Sequence, residues 1–358
     1  MLPAFDSERL AVTPSHRRIT IKDLAARLDV STATVSNAFN RPDQLSPALR
    51  DRILSEARAV GYTGPDARGR SLRTGRSRII AVVLAESLTY NLNDAVASEF
   101  LAGVAEVVDG HGHTLLLLPA RQGARLESAS MADGFIVYGL VADPRMLEQF
   151  PSQKPLMAVD FDIAGHASVH IDNQFACLNI ARHTLRQRPR RPAIINLRLT
   201  AEPCNGRIID QPLYEESQTI TRLRLNGFYE ALAEHDIDPT TVPMWNIEEN
   251  TYEVCAPVIA GILDLPDDER PDLLLCMSDR IALTVLTLAE QRGLRIPEDL
   301  RITGFDGIAE GQYRAPRLTT VRQDSVAKGR LAASMVLGLV PMKHHCLATQ
   351  LMIGETSP

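Results

Sequence analysis

One face of a predicted helix at residues 32–40 carries short side chains that can exchange hydrogen bonds at close range. The apolar residues on the other side of this helix recur at helical spacing and predict a buried stripe. Short side chains without carboxylates suit contact with nucleic acid, because acidic groups would repel phosphate. Hydrogen bonding to base edges is therefore the chemistry that this face predicts. The members of the polar face are Thr32, Ala33, Ser36 and Asn37.

Two further helices are predicted to hold this face in place. A first helix is indicated by the apolar spacing of Leu24, Ala25 and Leu28, and Ser31 is a favourable N-cap for the second helix. A third helix lies within Ser46–Val60, where apolar residues again form one stripe. Two short helices bury too little surface alone, so the third completes the unit. The alternative interpretation is a small three-helix bundle with a solvated polar face.

Charge is distributed unevenly along the 358 residues, although the net charge is only −6. Residues 1–78 hold 14 Lys and Arg against 8 Asp and Glu, whereas the remainder holds 24 against 36. A basic head on an acidic body concentrates the attraction for phosphate at one end of the chain.

The head closely resembles the DNA-binding headpiece of the lactose/galactose-repressor (LacI/GalR) family. Fifteen spaced positions carry the resemblance: Thr20, Asp23, Ala25, Val30, Ser31, Thr34, Val35, Ser36, Asn40, Ser46, Arg50, Gly61, Tyr62, Pro65 and Leu72. It implies that Thr32, Ala33 and Asn37 reach base edges, with Ser36 on the same face. It also implies that a second set positions the domain on phosphates, namely Thr20, Ser31, Thr34, Asn40 and Ser46.

Residues 64–78 are rich in Gly and Arg, and alone they read as a basic linker. The resemblance makes this segment a hinge that becomes helical on operator DNA and inserts Leu72 into the minor groove, with phosphate contacts from Arg70 and its neighbouring arginines. Gly64 looks like an extra residue relative to the family, and Gly69 replaces a usual alanine. Helix propensity in the hinge is therefore lower by about 1 kcal/mol. Residues 1–18 are expected to be a disordered tail.

From Ile79 onward, apolar strands alternate with helical stretches, which favours doubly wound parallel sheets. There are too many units for one ordinary sheet, so two α/β subdomains that face each other across a cleft are expected. The resemblance, which extends to about Glu355 and is weaker across 196–215, implies the same periplasmic-binding-protein-like body. The predicted domains are a helix-turn-helix headpiece at 19–63, the hinge at 64–78 and an effector-binding and dimerisation domain at 79–355.

Within the body, the N-subdomain is predicted at about 79–172 and 306–322, and the C-subdomain at about 173–305 and 323–355. The family body has three chain crossovers between its subdomains. They are placed here near Asp172, Phe305 and Gln323.

Ligands of open α/β sheets bind beyond the carboxyl ends of the strands. That rule selects Ser87, Tyr90, Asp160, Ser278, Asp279 and Asp306. The family resemblance adds Arg224 and Tyr252. Carboxylates and an arginine around an aromatic ring suit a polyhydroxylated ligand, although Ser278 and Gly307 depart from the usual family residues. A surface ion pair or a helix cap is the alternative role for each of these residues.

Catalytic motifs are absent from the sequence: there is no GxSxG, HExxH, GxxxxGK[ST] or post-strand GxGxxG. His111 and His113 could form a metal clip, but a solvated turn is the preferred interpretation. The five cysteines form no CxxC pair, which favours free thiols in a reducing compartment. No cofactor, no metal, no membrane segment and a cytoplasmic location are expected.

Together these features predict an allosteric transcriptional regulator, expected to be a repressor. Its partners would be near-palindromic double-stranded operator DNA, a small sugar-like effector and a second copy of the chain. The sign of the effector response stays open. Two alternatives are a DNA-tethered enzyme, which needs catalytic groups in the cleft, and an architectural DNA binder that ignores ligands.

Replacing Leu72 with alanine should weaken operator binding strongly, because the side chain that wedges between base steps is lost. Effector affinity should stay almost unchanged. Fluorescence anisotropy with operator DNA and calorimetry with effector measure the two quantities. An operator affinity equal to that of the unchanged protein would contradict the wedge.

Overall fold

The computed structural model describes residues 19–64, 77–120, 126–139, 146, 150–209, 212–213 and 219–358. The chain divides into two units at the junction of Ser77 and Arg78. The predicted tail and most of the predicted hinge, including Arg70 and Leu72, lie outside the described residues. Within the described part, no helix is both long and apolar enough to cross a membrane.

The first unit contains three helices with capped starts. They are α1 (Ile21–Leu28), α2 (Thr32–Asn40) and α3 (Pro47–Ala59). The α1 N-cap Thr20 forms a capping box with Asp23, and α1 ends where Asp29 adopts a left-handed conformation (φ 54°). That ending turns the chain directly into α2, so the pair forms the predicted helix-turn-helix.

The interior of the first unit is apolar and small. Residues that the periodicity predicted to be inward, such as Leu24, Val35 and Ile53, are fully buried. Phe39 and Tyr62 close the edge in a T-shaped ring pair with centroids 5.8 Å apart. Gly64 packs on the same ring at φ +113°, where an added Cβ would lie 3.1 Å from Phe39. This close approach gives the extra glycine a packing role.

The N-subdomain of the second unit is built on a six-stranded parallel sheet in the order β12-β5-β4-β3-β1-β2. Its helices include α4 (Leu88–Asn93), α5 (Ala95–Gly110) and α11 (Ser325–Val336). Both faces are covered, so the strands read as continuous apolar runs. The strands are β1 (Ile79–Leu84), β2 (Thr114–Pro119), β3 (Gly134–Tyr138), β4 (Leu156–Val159), β5 (Ala167–Ile171) and β12 (His345–Leu347).

The C-subdomain has a five-stranded sheet in the order β10-β9-β6-β8-β7, parallel except for the edge strand β7. Its strands are β6 (Pro192–Leu197), β7 (Gly206–Ile208), β8 (Met244–Ile247), β9 (Leu273–Cys276) and β10 (Arg301–Thr303). Its helices are α6 (Asn173–Leu185), α7 (Ile220–Glu234), α8 (Tyr252–Leu263), α9 (Asp279–Gln291) and α10 (Ala309–Tyr313). The edge strand β7 lies in a polar segment whose composition does not indicate a strand.

The predicted division of the C-terminal part of the chain is wrong. Helix α11 packs on α5 and on the first sheet, and β12 pairs with β5 of that sheet. Residues 305–322 instead stay with the C-subdomain, where Leu318 and Val321 join its cores. The chain passes from the first sheet to the C-subdomain after β5, near Asp172, and returns to the first sheet after Gln323.

The crossover predicted near Phe305 does not occur, and the third one falls between β12 and β13 (Thr349–Met352). Strand β13 pairs antiparallel with β11 (Thr320–Gln323). Only Ala348 separates β12, which belongs to the first sheet, from β13, which pairs with β11. Periodicity records which residues are apolar but not which sheet they join, and this explains the error.

Helices α5 and α11 cross at very short range because glycines face each other's backbone. A Cβ added at Gly329 would lie 2.1 Å from the carbonyl oxygen of Phe100, and one at Gly103 would lie 2.1 Å from that of Val326. This contact fixes α11, and with it the side chains that α11 presents to the cleft.

Replacing Gly329 with alanine should therefore lower the free energy of unfolding by about 1–3 kcal/mol, since backbone must shift to admit the methyl group. Urea unfolding of the full chain measures this loss. Gly261→Ala in α8 is the matched control, because no atom lies within 4 Å of its added Cβ and helix propensity should stabilise by about 1 kcal/mol. Equal stability of the two variants would contradict the close crossing.

Candidate functional site

The start of α2 presents the predicted DNA-reading residues to solvent. Ser31, Thr32 and Ala33 are exposed. The Ser31 hydroxyl accepts a hydrogen bond from the Thr34 amide at 3.0 Å and lies 2.8 Å from the Thr34 hydroxyl. These hydroxyls therefore orient the first turn of α2 as well as being available to a phosphate.

Amide side chains continue the polar face towards the end of α2. Asn37 donates to the Gln44 side chain at 3.2 Å, and Asn40 donates to the Ser36 carbonyl at 2.9 Å. Thr20 and Ser46 are exposed N-caps of α1 and α3. Sequence reasoning missed Gln44, which lies in a short 3-10 turn (Pro42–Gln44) outside the helical periodicity.

A second candidate site is a cavity of about 750 Å³ that both subdomains line. Its walls come from segments that follow strands, as expected for open parallel sheets. The N-subdomain contributes residues after β1, β3 and β4, and the C-subdomain contributes residues after β6, β8, β9 and β10. Residues of α4 and the starts of α5, α6, α7 and α9 complete the lining.

Arg224 is the central cation of the C-subdomain wall. Its guanidinium donates to Asn173 at 3.0 Å and to the Met277 carbonyl at 2.5 Å, and it lies 3.4 Å from Asp306. The same group stacks over the Phe305 ring at 3.7 Å. This set of partners fixes the planar group in a buried position.

Lys328 connects the N-subdomain wall of the cavity to the crossover near Gln323. It is 1% exposed, and its ammonium lies 2.6 and 2.8 Å from the two carboxylate oxygens of Asp160. It also donates to the Gln323 side chain at 3.0 Å, and Gln323 in turn donates to Asp306 at 2.8 Å. A continuous polar chain therefore runs from Asp160 to Arg224 through both subdomains.

A second link between the subdomains joins Arg198 to Glu86. Their side chains form an ion pair, and Arg198 also donates to the Glu248 carbonyl at 2.6 Å. The Arg198 guanidinium lies 5.8 Å from the Tyr90 ring centroid. Sequence reasoning missed Arg198 because it follows a strand in the segment where the family resemblance is weak.

Five of the eight predicted effector residues line the cavity: Tyr90, Asp160, Arg224, Ser278 and Asp306. The others lie elsewhere. Ser87 accepts from the Tyr90 amide as the N-cap of α4. Tyr252 begins α8 and lies beside Arg280 and Tyr313 in a separate surface pocket. Position after a strand or in a matching segment does not fix the direction of a side chain, which explains why these two residues lie outside the cavity lining.

Asp162 lines the cavity together with Asp160, although the sequence analysis did not select it. Strand β4 ends at Val159, and Asp160 adopts φ 65°. Residues two apart along a strand share a face, so the common direction of these two carboxylates agrees with strand periodicity. Asp279, which also follows β9, is buried away from the cavity and accepts from the Ile308 amide at 2.8 Å.

Burial governs the titration of the acidic and phenolic groups here. Burial raises the pKa of Asp306 from its ordinary value of 3.8 to about 6, and Arg224 opposes that rise. Burial also raises the pKa of Tyr90 and of Tyr138, so both rings keep neutral hydroxyl groups. The cavity therefore offers neutral phenols beside carboxylates.

The fold and the two candidate sites define the class: a helix-turn-helix headpiece joined to a two-lobed body with parallel sheets. A family profile described as bacterial regulatory proteins, lacI family, matches residues 20–64, and one described as a periplasmic binding protein-like domain matches residues 208–357. Both matches fall on the units that the structure separates.

Relatives extend the match to nearly the whole chain. HTH-type transcriptional regulator Rv3575c of Mycobacterium tuberculosis is 33% identical over an alignment 362 residues long that covers 97% of this chain and 99% of that protein. HTH-type transcriptional repressor CytR of Escherichia coli is 31% identical over 348 residues, 94% of each chain. The chain belongs to the lacI family of bacterial regulatory proteins and is a DNA-binding transcriptional regulator. Members of this family are not enzymes, which removes the DNA-tethered enzyme as an alternative.

Solved structures agree with this fold. A LacI-family transcriptional regulator from Corynebacterium glutamicum has a TM-score of 0.67 at 28% identity and covers 96% of this chain and 100% of its own. The lac repressor dimer bound to operator and an anti-inducer has a TM-score of 0.72 at 18% identity, covering 95% and 99%. The second likeness concerns the fold alone.

The buried Asp306 predicts a pH-dependent stability. An unfolded Asp306 loses its proton near pH 3.8, whereas the folded one keeps it until about pH 6. The free energy of unfolding of the wild type minus that of Asp306→Asn should therefore fall by about 3 kcal/mol as the pH rises from 4 to 6. Above pH 6 this difference should stay constant. Urea unfolding of both proteins across this range measures the difference.

Asp299→Asn provides a control of opposite sign, because the hydrogen bonds from Arg295 lower the pKa of Asp299 from 3.8 to about 2. The free energy of unfolding of the wild type minus that of Asp299→Asn should rise as the pH increases from about 2 to 4. A pH-independent difference between wild type and Asp306→Asn would show that Asp306 titrates normally.

Proposed function

We propose that this protein is a repressor whose headpiece binds a near-palindromic operator as a homodimer and whose cleft binds a small polyhydroxylated effector. The observation that carries the proposal is the presence, in one chain, of an exposed polar helix start and a buried polar cavity shared by two lobes. Effector binding would change the relation of the lobes and thereby DNA affinity. Such coupling is reciprocal between the two ligands.

Operator reading is assigned to α2 in the major groove. Thr32, Ala33 and Asn37 would contact base edges, and Asn37 can pair with adenine through both atoms of its amide. The hydrogen bond from Asn37 to Gln44 supports this role, because it orients the amide before DNA arrives. Ser36 would lie on the same face, while Thr20, Ser31, Thr34, Asn40 and Ser46 would hold phosphates.

The hinge residues Arg70 and Leu72 complete the proposed interface. Two headpieces would occupy successive major grooves, so the operator repeats its half-site about one helical turn apart. The lac repressor in the structure named above is a dimer on its operator, and this supports the same arrangement here.

Dimerisation is supported by exposed aromatic surface on the C-subdomain. Tyr313 is 90% exposed and Tyr252 is 45% exposed, and both border a surface pocket with Arg280 and Arg314. Tyrosine and arginine are enriched where protein surfaces associate. Tyr252 would thus contribute to assembly and not to the effector cleft.

Effector binding is assigned to the cavity and to the residues that line it from both lobes. Asp306 and Arg224 would bind hydroxyls from the C-subdomain, Asp160 and Tyr90 from the N-subdomain, and Ser278 from the start of α9. Because Lys328, Gln323 and Arg198 already connect the lobes, a ligand that changes these contacts changes the lobe arrangement.

Two variants should separate the two activities. Asn37→Ala should weaken operator binding by about 1–3 kcal/mol and leave the effector response intact. Asp306→Asn should keep operator affinity and lose the effector response, because the cleft loses a charged acceptor. Anisotropy with operator DNA, with and without a carbohydrate panel, measures both effects.

Ser55→Ala, an exposed residue of α3 outside the predicted interface, serves as the matched control for the headpiece. A protein that protects no palindrome upstream of its regulated genes at moderate salt is not a repressor of this kind. Operator binding that ignores the whole panel would favour the architectural DNA binder.

A further inference from the structure

The cavity that the proposed effector would occupy has an acidic wall. Among the described lining residues, carboxylates outnumber guanidinium groups by six to two. The carboxylates are Glu86, Asp94, Asp160, Asp162, Glu248 and Asp306, and the guanidinium groups are those of Arg198 and Arg224. A cavity of one sign, shielded from water, repels ligands of the same sign.

The cations near the cavity are already neutralised by protein groups. Arg224 lies against Asp306, Arg198 against Glu86, and Lys328 between both oxygens of Asp160. A phosphate or carboxylate on a ligand would compete with these carboxylates for the same cations. Displacing Asp160 or Asp306 would leave a buried carboxylate without its cation, which is strongly unfavourable.

Glu248 supplies the independent observation that points to the ligand. Its Oε2 atom is buried and has no hydrogen-bond partner among the described residues. Its backbone is held on both sides, since its amide donates to Asn205 at 2.8 Å and its carbonyl accepts from Arg198 at 2.6 Å. The backbone of Glu248 is therefore fixed at the cavity wall, and its side chain carries a buried acceptor that has no donor among the described residues.

Helix starts do not reverse this balance. The N-termini of α5, α6, α7 and α9 reach the cavity, and each adds about half a positive charge. Their amides are also capped from within, by Asp94, Asp172, Thr219 and Ser278. The summed partial charges are smaller than the carboxylate excess.

We infer that the cleft admits a ligand rich in hydroxyl or ammonium donors and without negative charge, and that Glu248 excludes its phosphorylated or carboxylated forms. The inference rests on the proposed function and adds the charge class of the effector. Glu248 is then a specificity-determining residue: it accepts a donor from the right ligand and repels an anion. Glu86 acts alongside it by keeping Arg198 from binding an anion.

Charge-matched carbohydrates test this selection on the full-length protein. The first set is glucose, glucosamine, glucuronate and glucose 6-phosphate, and the second is ribose with ribose 5-phosphate. Calorimetry gives the affinity of each, and operator anisotropy gives the response. Within each set that binds, the anionic sugars should bind at least about tenfold more weakly than the neutral sugar.

Glu248→Gln should reduce the ratio of neutral-sugar affinity to anionic-sugar affinity at least about fivefold, because the repulsive charge is removed while the shape of the side chain is kept. Glu86→Gln should act in the same direction by releasing Arg198, so the test does not depend on one variant folding. Glu249→Gln removes the same charge from an adjacent exposed residue that does not line the cavity, and it should leave the ratio unchanged.

The outcomes separate this inference from the proposed function. Anions that bind as tightly as neutral sugars, or a ratio that both Glu248→Gln and Glu86→Gln leave unchanged, overturn the charge selection alone. If no member of either set binds or alters operator affinity, the assignment of the cleft to a carbohydrate effector fails together with it.

Discussion

The buried polar chain from Asp160 through Lys328, Gln323 and Asp306 to Arg224 is the constraint on which the two-lobed body depends. Charges removed from water are tolerated only with partners in good geometry. Each of these side chains has its hydrogen-bond partner on a different helix, strand or loop. A shift of any one of these elements would therefore leave a buried charge without its partner. The crossing of α5 and α11 through Gly103 and Gly329 places Lys328 where this requirement can be met.

The same chain of buried polar side chains explains why a ligand in the cleft would affect both lobes. Asp160 and Lys328 belong to the N-subdomain, Asp306 and Arg224 belong to the C-subdomain, and Gln323 lies at the crossover between them. Glu86 and Arg198 form a second connection at the cavity wall. A ligand that exchanges hydrogen bonds with either set favours one arrangement of the lobes, and this differential contact is what coupling requires.

Much of the fold was predictable from local pattern. The strands at 79–84 and 273–276 and the helices at 32–40 and 279–291 follow from apolar runs, periodicity and cap residues such as Ser31 and Ser278. The position-after-a-strand rule found Tyr90, Asp160, Ser278 and Asp306 in the cavity but also selected Ser87, which caps a helix instead. It missed Arg198 and Glu248, because nothing local distinguishes them from other polar residues that follow strands.

The sequence by itself determined the class of protein, the capped three-helix head, the alternation of strands and helices and the separation of charge between head and body. These properties depend on neighbouring residues and on composition, which the linear chain carries in full. Only the tertiary structure decided that α11 and β12 return to the N-subdomain, that Tyr252 borders a surface pocket and not the cavity, and that Lys328 neutralises Asp160. Those outcomes depend on contacts between residues that are far apart in the sequence, for which periodicity holds no information.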